Sequence, residues 1–170
     1  MSIKPRTKVP ALSLPTVGGG QFELAQNAPK TFTLLVVYRG LHCPICKTYL
    51  RDLDRKLAEF EALGVKAVAA STDTQERAEQ SKADWGIEHL PIAYGLDIEQ
   101  ARTWGLFISA GIKDGEPPLF AEPGLFLIRP DQTLYAASIQ TMPFARPFFS
   151  DVLAAVKFVT EKDYPARGEA

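Results

Sequence analysis

From Thr31 onward the sequence switches repeatedly between short apolar runs and helical periodicity, and that alternation limits the fold more than any other feature. Thr31 to Tyr38 is leucine-rich, β-branched and aromatic, the composition of a strand buried on both faces. Residues 44–63 carry Leu50, Leu53, Leu57, Phe60 and Leu63 at offsets of 3, 7, 10 and 13, one stripe of an amphipathic helix closed by Gly64. Val65 to Ala70 is a second apolar run, and Thr72 to Trp85 a second, more polar helix ended by Gly86. Pro91 to Tyr94 and a short helix over Asp97 to Trp104 continue the alternation. Leu125 to Ile128 and Thr133 to Ile139 form a hairpin across Arg129-Pro130-Asp131-Gln132, and residues 145–160 a closing amphipathic helix. Upstream, Ala11-Leu12-Ser13-Leu14 and Gln21-Phe22-Glu23-Leu24 flank three glycines and predict an N-terminal hairpin. The expected fold is α/β: a central mixed sheet flanked by helices, with that hairpin added.

No linker, repeat or low-complexity tract divides the chain, so residues 1–170 read as a single domain. At 46% hydrophobic and 23% charged it buries about two-thirds of its unfolded surface, which excludes a disordered chain. Nineteen basic and twenty acidic side chains leave a net charge of −1, so no overall field recruits nucleic acid or an anionic membrane. The richest apolar run, Phe32 to Tyr38, is far short of the roughly 20 residues of a spanning helix. Near the N-terminus, Pro10, Ser13 and Pro15 interrupt any apolar leader. The expectation is a cytoplasmic protein whose partner is a small molecule or another protein.

Only two cysteines occur, and both fall in Cys43-Pro44-Ile45-Cys46. They stand where the first central strand ends and the long helix begins, the edge of an α/β sheet where chemistry collects. With Cys43 as N-cap and Pro44 as the first helical residue, the Cys43 sulfur lies near free N–H groups and the positive end of the helix dipole. Both favour thiolate, the nucleophilic form. His42 lowers the thiol's pKa further if it is protonated and turned inward. Cys46 lies one turn later on the same face, so the two sulfurs can close into a disulfide with little backbone movement. Attack by Cys43 on a disulfide or sulfenic acid, resolved by Cys46, is the expected cycle. A pair of buried structural cysteines is the weaker reading, because Pro44 sits between them at a strand-to-helix junction. A zinc half-site has only His42 and His89 to complete it, without a second cysteine pair, so no metal or cofactor is expected.

These residues resemble the thioredoxin superfamily, and within it the peroxiredoxin-like AhpC/TSA (alkyl hydroperoxide reductase / thiol-specific antioxidant) family. The resemblance runs from about Val9 to Val159 and includes Ser71-Thr72-Asp73, Tyr94-Gly95-Leu96-Asp97 with Trp104-Gly105, and Leu125 to Asp131. It implies a thioredoxin-like fold, an antioxidant oxidoreductase, a thiol reductant such as a thioredoxin or glutathione system, and a disulfide or peroxide substrate. Laid on this chain, the family's Pro-x-x-x-Thr/Ser-x-x-Cys motif puts its peroxidatic cysteine at Cys46. Cys43 then stands at the hydroxyl position and Arg39 at the proline position. The family's late arginine falls near Glu122-Pro123, where no arginine stands. Thioredoxins carry a partner-docking cis-proline there, and Pro123 suits that role. Their buried proton-relay carboxylate falls at Val36 and Val37, so protons move through water, His42 or another group. Arg39 is either a guanidinium for a thiolate or peroxide, or a surface residue at a strand end.

Three readings of function follow: a thiol-disulfide oxidoreductase cycling Cys43–Cys46, a thiol-dependent peroxidase, or a redox-inert binding domain. Elsewhere, Trp85 and Trp104 read as packing and His89 as a solvated residue. Gly111 to Pro118 forms either a lip over the redox site or a plain connection. The three phenylalanines of Pro143 to Phe149 read as mostly core, with a self-association patch that would suit a homodimer.

Overall fold

The computed structural model describes residues 3–170, so of the single-domain span only Met1 and Ser2 lie outside it. The N-terminal hairpin forms from β1 (Ser13–Thr16) and β2 (Gly20–Glu23), paired antiparallel. β3 (Phe32–Val37) is buried along its whole length and runs into α1 (Pro44–Ala62). Gly64 ends that helix with φ +78, and β4 (Val65–Ala70) returns parallel to β3. Then follow α2 (Gln75–Asp84), β5 (Ile92–Ala93), α3 (Ile98–Thr103), β6 (Ile108–Ala110) and β7 (Leu119–Ala121). β8 (Gly124–Ile128), β9 (Leu134–Ile139) and α4 (Phe149–Lys162) complete the chain.

Seven strands make one sheet in the order β2-β1-β5-β4-β3-β8-β9. β3, β4 and β5 are parallel, while β8 joins β3 and β9 joins β8 antiparallel, giving the expected mixed sheet. The period of two along β3 divides the core between the two faces. Phe32, Leu34 and Val36 pack with Leu50, Leu53 and Phe60 of α1 and with Phe149, Val152 and Val156 of α4. Leu35 and Val37 turn to the opposite face and meet Leu14, Ala101, Trp104 and Phe126. Trp104 is buried edge-on against Phe126, centroids 5.1 Å apart, and Trp85 packs edge-on to Tyr38, so both tryptophans are packing residues as expected.

Parts of the chain differ from the sequence reading. The run before Gly111 and the residues before Glu122 pair as β6 and β7, a separate two-stranded hairpin. The closing helix starts at Phe149 rather than at 145, because Ala145 takes φ +54 and Pro147 follows it. Of the three phenylalanines there, only Phe149 is core; Phe144 and Phe148 are 56% and 73% exposed, which corrects the mostly-core expectation.

Candidate active site

Cys43 is the N-cap of α1, with extended backbone (φ −107, ψ 99), and Pro44 occupies the first turn. The Cys46 N–H donates to Cys43 Sγ at 3.2 Å, so a helix-terminal amide reaches this sulfur. The two cysteines are joined as a disulfide, Cα atoms 5.2 Å apart, and both are at most 1% exposed. The Lys47 N–H still donates to the Cys43 carbonyl at 3.2 Å, so the first turn of α1 remains closed around the bonded pair.

The loop that delivers Cys43 is braced by a buried carboxylate. Asp73, just beyond β4, accepts the Leu41 N–H at 2.8 Å and the Arg77 Nε–H at 2.9 Å. Gly40 passes directly over it with φ +131, and a Cβ there would lie 2.7 Å from Asp73 Oδ1. Only glycine fits both that conformation and that approach.

His42 does not supply the cation the sequence reading allowed. Burial, then the neighbouring Arg39 charge, lowers its pKa below the ordinary imidazole value, so the ring is neutral near pH 7. It packs edge-on to Phe120 at 4.6 Å, with Nδ1 3.5 Å from Arg77 Nη2. Phe120 belongs to the β6–β7 hairpin, and Arg77 Nη2 also donates to the Gly115 carbonyl at 3.2 Å. Through Arg77, the Gly111 to Pro118 loop is thereby linked to the segment that carries His42.

Arg39 is one-fifth exposed, lies 4.8 Å from the centre of the Phe120 ring, and is in ion-pair contact with Glu122 (Nε to Oε2, 3.1 Å). It is therefore paired rather than a free surface residue. Glu122 is 3% exposed, and its Oε1 accepts the Ser109 hydroxyl at 2.6 Å. Pro123 follows it, buried, with its carbonyl accepting the Gln140 N–H at 2.9 Å. No peptide bond among the described residues is cis, so Pro123 lacks the thioredoxin-style conformation that suggested its docking role.

The sulfur of Cys46 meets a residue to which no role was given from the sequence. Arg146, from the segment before α4, places Nη1 3.6 Å from Cys46 Sγ. Its guanidinium lies 4.2 Å from the centre of the Tyr49 ring, and the Tyr49 hydroxyl donates to the Pro147 carbonyl at 2.7 Å. Burial lowers the Arg146 pKa, as does the Arg39 charge, while Tyr49 and Glu122 oppose the shift; an arginine nevertheless stays charged. The two sulfurs thus receive positive character from different sources: an amide at Cys43 and a guanidinium at Cys46.

A helix-capping cysteine bonded to a second one turn later, at the sheet edge of a thioredoxin-like fold, defines a thiol-based redox protein. The sequence pattern of the AhpC/TSA family matches residues 5–137, and the chain belongs to that family. Peroxiredoxin Q of Xanthomonas campestris is similar at 25% identity, covering 86% of this chain and 89% of that one, with a TM-score of 0.69. Mycobacterium tuberculosis AhpC superposes over 100% of both chains at 14% identity and TM-score 0.76. A cysteine-to-serine mutant of Arenicola marina peroxiredoxin 6 covers 95% of this chain and 76% of that chain, at 18% identity and TM-score 0.78. No curated protein matches the sequence significantly. Among the described residues, no helix is long and apolar enough to cross a membrane.

Proposed function

We propose that the protein is a thiol-dependent peroxidase that forms its disulfide within one chain, with Cys46 attacking the peroxide and Cys43 resolving. The observation that carries this reading is the Arg146 guanidinium against Cys46 Sγ, the sulfur at the peroxidatic position of the family motif. A cation there stabilises thiolate over thiol. The Cys46 thiolate attacks one peroxide oxygen; the O–O bond breaks, and the departing oxygen leaves as alcohol or water after taking up a proton. Cys46, oxidised by two electrons, is then a sulfenic acid. The Cys43 thiolate attacks that sulfur, the S–S bond forms, and hydroxide leaves to become water. An external thiol reductant of the thioredoxin or glutathione kind returns two electrons. Such a donor fits a reducing, cytoplasmic setting. Exposed Phe144 and Phe148 favour association of two copies, which sedimentation would detect.

A second reading rests on the Cys46 N–H donated to Cys43 Sγ. It makes Cys43 the first nucleophile in exchange with a disulfide substrate, with Pro44 in the helical turn that follows the cap. Peroxide consumption and insulin-disulfide reduction, measured in parallel with wild type and each Cys→Ser variant, test both. Loss of peroxide turnover in both variants, with sulfenic acid forming only where Cys46 remains, is the expected result. Wild-type insulin reduction without peroxide consumption above background overturns the peroxidase reading in favour of the second. A pair that neither exchanges nor reacts leaves a redox-inert binding domain.

A further inference from the structure

Both cysteines of the Cys43–Cys46 disulfide are at most 1% exposed. Thiol exchange needs a nucleophile in contact with a sulfur, so an external reductant reaches this bond only after part of its cover moves. Two neighbouring segments are firmly held. Asp73 fixes the loop before Cys43 through the Leu41 N–H, and the Lys47 amide closes the first turn of α1. The third is the chain between β9 and α4, residues 141–147, which lays Arg146 against Cys46 Sγ. None of these seven residues is buried. Among the described residues they make no backbone–backbone hydrogen bond; they are held by Arg146 on Cys46 Sγ and by the Tyr49 hydroxyl on the Pro147 carbonyl. Ala145 keeps a left-handed backbone, a conformation that alanine adopts only where its surroundings impose it. An open groove of about 770 Å³, bordered by Ile45, Tyr49, Phe144 and Phe148, lies between the segment and α1. Sparse hydrogen bonding and exposure mark the parts of a fold that open first.

We infer that residues 141–147 form a strap over the disulfide, latched by Tyr49, and that the strap lifts to admit the reductant while α1 stays wound. The inference rests on the redox cycling that both readings above share. Lifting withdraws Arg146 and uncovers Cys46 Sγ. A thiolate of a dithiol reductant then attacks that sulfur; a mixed S–S bond forms as the Cys43–Cys46 bond breaks, and Cys43 leaves as a thiolate beside the Cys46 N–H. The second thiolate of the reductant attacks the mixed disulfide, releasing the Cys46 thiolate and a cyclic, oxidised reductant. Two electrons pass to the protein, and the two protons of the dithiol go to its cysteines or to solvent.

The test starts from the oxidised full chain and follows its reduction by dithiothreitol and by the uncharged tris(hydroxypropyl)phosphine, neither of which needs peroxide. Tyr49→Phe keeps the ring beside Arg146 and removes the latch. Both reductants should act about 5-fold faster on the variant, the effect of one ordinary hydrogen bond on the opening equilibrium. Exchange of the Lys47 amide, read by NMR, should stay within about 2-fold of wild type, because the helix start does not open. An unchanged reduction rate with both reductants overturns the strap. A gain with the thiolate reductant alone also overturns it, since that would trace to charge at the sulfur. An equal gain in Lys47 exchange does the same, because helix unwinding would then be the route. A disulfide that neither reductant opens, in wild type or variant, removes the redox cycling itself.

Discussion

The two sulfurs of one disulfide are served by opposite kinds of structure. Cys43 is held by its own helix, through a cap, a following proline and an amide three residues away. Cys46 depends on Arg146, one hundred residues distant in sequence and held in place by Tyr49 and the Pro147 carbonyl. Backbone dipoles come with any helix start, whereas a guanidinium at a chosen sulfur requires a particular tertiary fold. The local arrangement makes a reactive pair; the distant one distinguishes the two members.

The sharpest break in that comparison is exchange of one sulfur at a time. Cys46→Ser should reduce peroxide consumption to background, whereas Cys43→Ser should form one sulfenic acid per chain and then stop, as mass spectrometry after dimedone trapping would record. Removing the distant cation should be smaller and selective. In a Cys43→Ser background, Arg146→Met should slow alkylation of Cys46 about 10-fold at pH 7, the effect of roughly one pKa unit. The same change in a Cys46→Ser background should leave Cys43 within about 2-fold. Equal losses at both sulfurs would show that Arg146 serves the pair rather than one member.

Local support for Cys43 can be attacked through its loop. Gly40→Ala meets Asp73 in a left-handed backbone and should cost about 2–3 kcal/mol, read by urea denaturation. The smallest effect expected is on the pH dependence of stability. The native pKa of His42 lies below its unfolded value of about 6.5. As pH falls below that value the unfolded chain takes up the proton first, so stability is full above pH 6.5 and declines toward the lower native pKa. His42→Asn should flatten that decline in melting temperature; an unchanged slope would place His42 in a wetter setting.

The elements that the sequence announced are those whose cause is local. β3, α1 and β4 follow from a buried strand composition, a leucine stripe and a glycine stop, and each lies within a residue or so of its expected ends. α2 begins at Gln75 instead of Thr72 because Thr74 is the cap, its hydroxyl accepting the Arg77 N–H. β6 and β7, three residues each and separated by a glycine- and proline-containing loop, offer no periodicity long enough to register. The same division runs through the site. The cysteine pair is legible because an i, i+3 spacing fixes its geometry, while Arg146 sits in an irregular phenylalanine-rich stretch that predicts packing. Glu122 left a faint signal: it is the one carboxylate between Leu119 and Ile128, an otherwise apolar span.

The closed first turn of α1 has a further consequence. The disulfide coexists with the Lys47 amide bonded to the Cys43 carbonyl, so oxidation does not require α1 to unwind at its start. A sulfenic acid on Cys46 would have its resolving thiol one helical turn away, and its lifetime would not wait on a slow rearrangement. A second peroxide would then find little oxidised sulfur to attack. Such an enzyme should withstand high oxidant loads with little drift to the irreversible sulfinic and sulfonic acids.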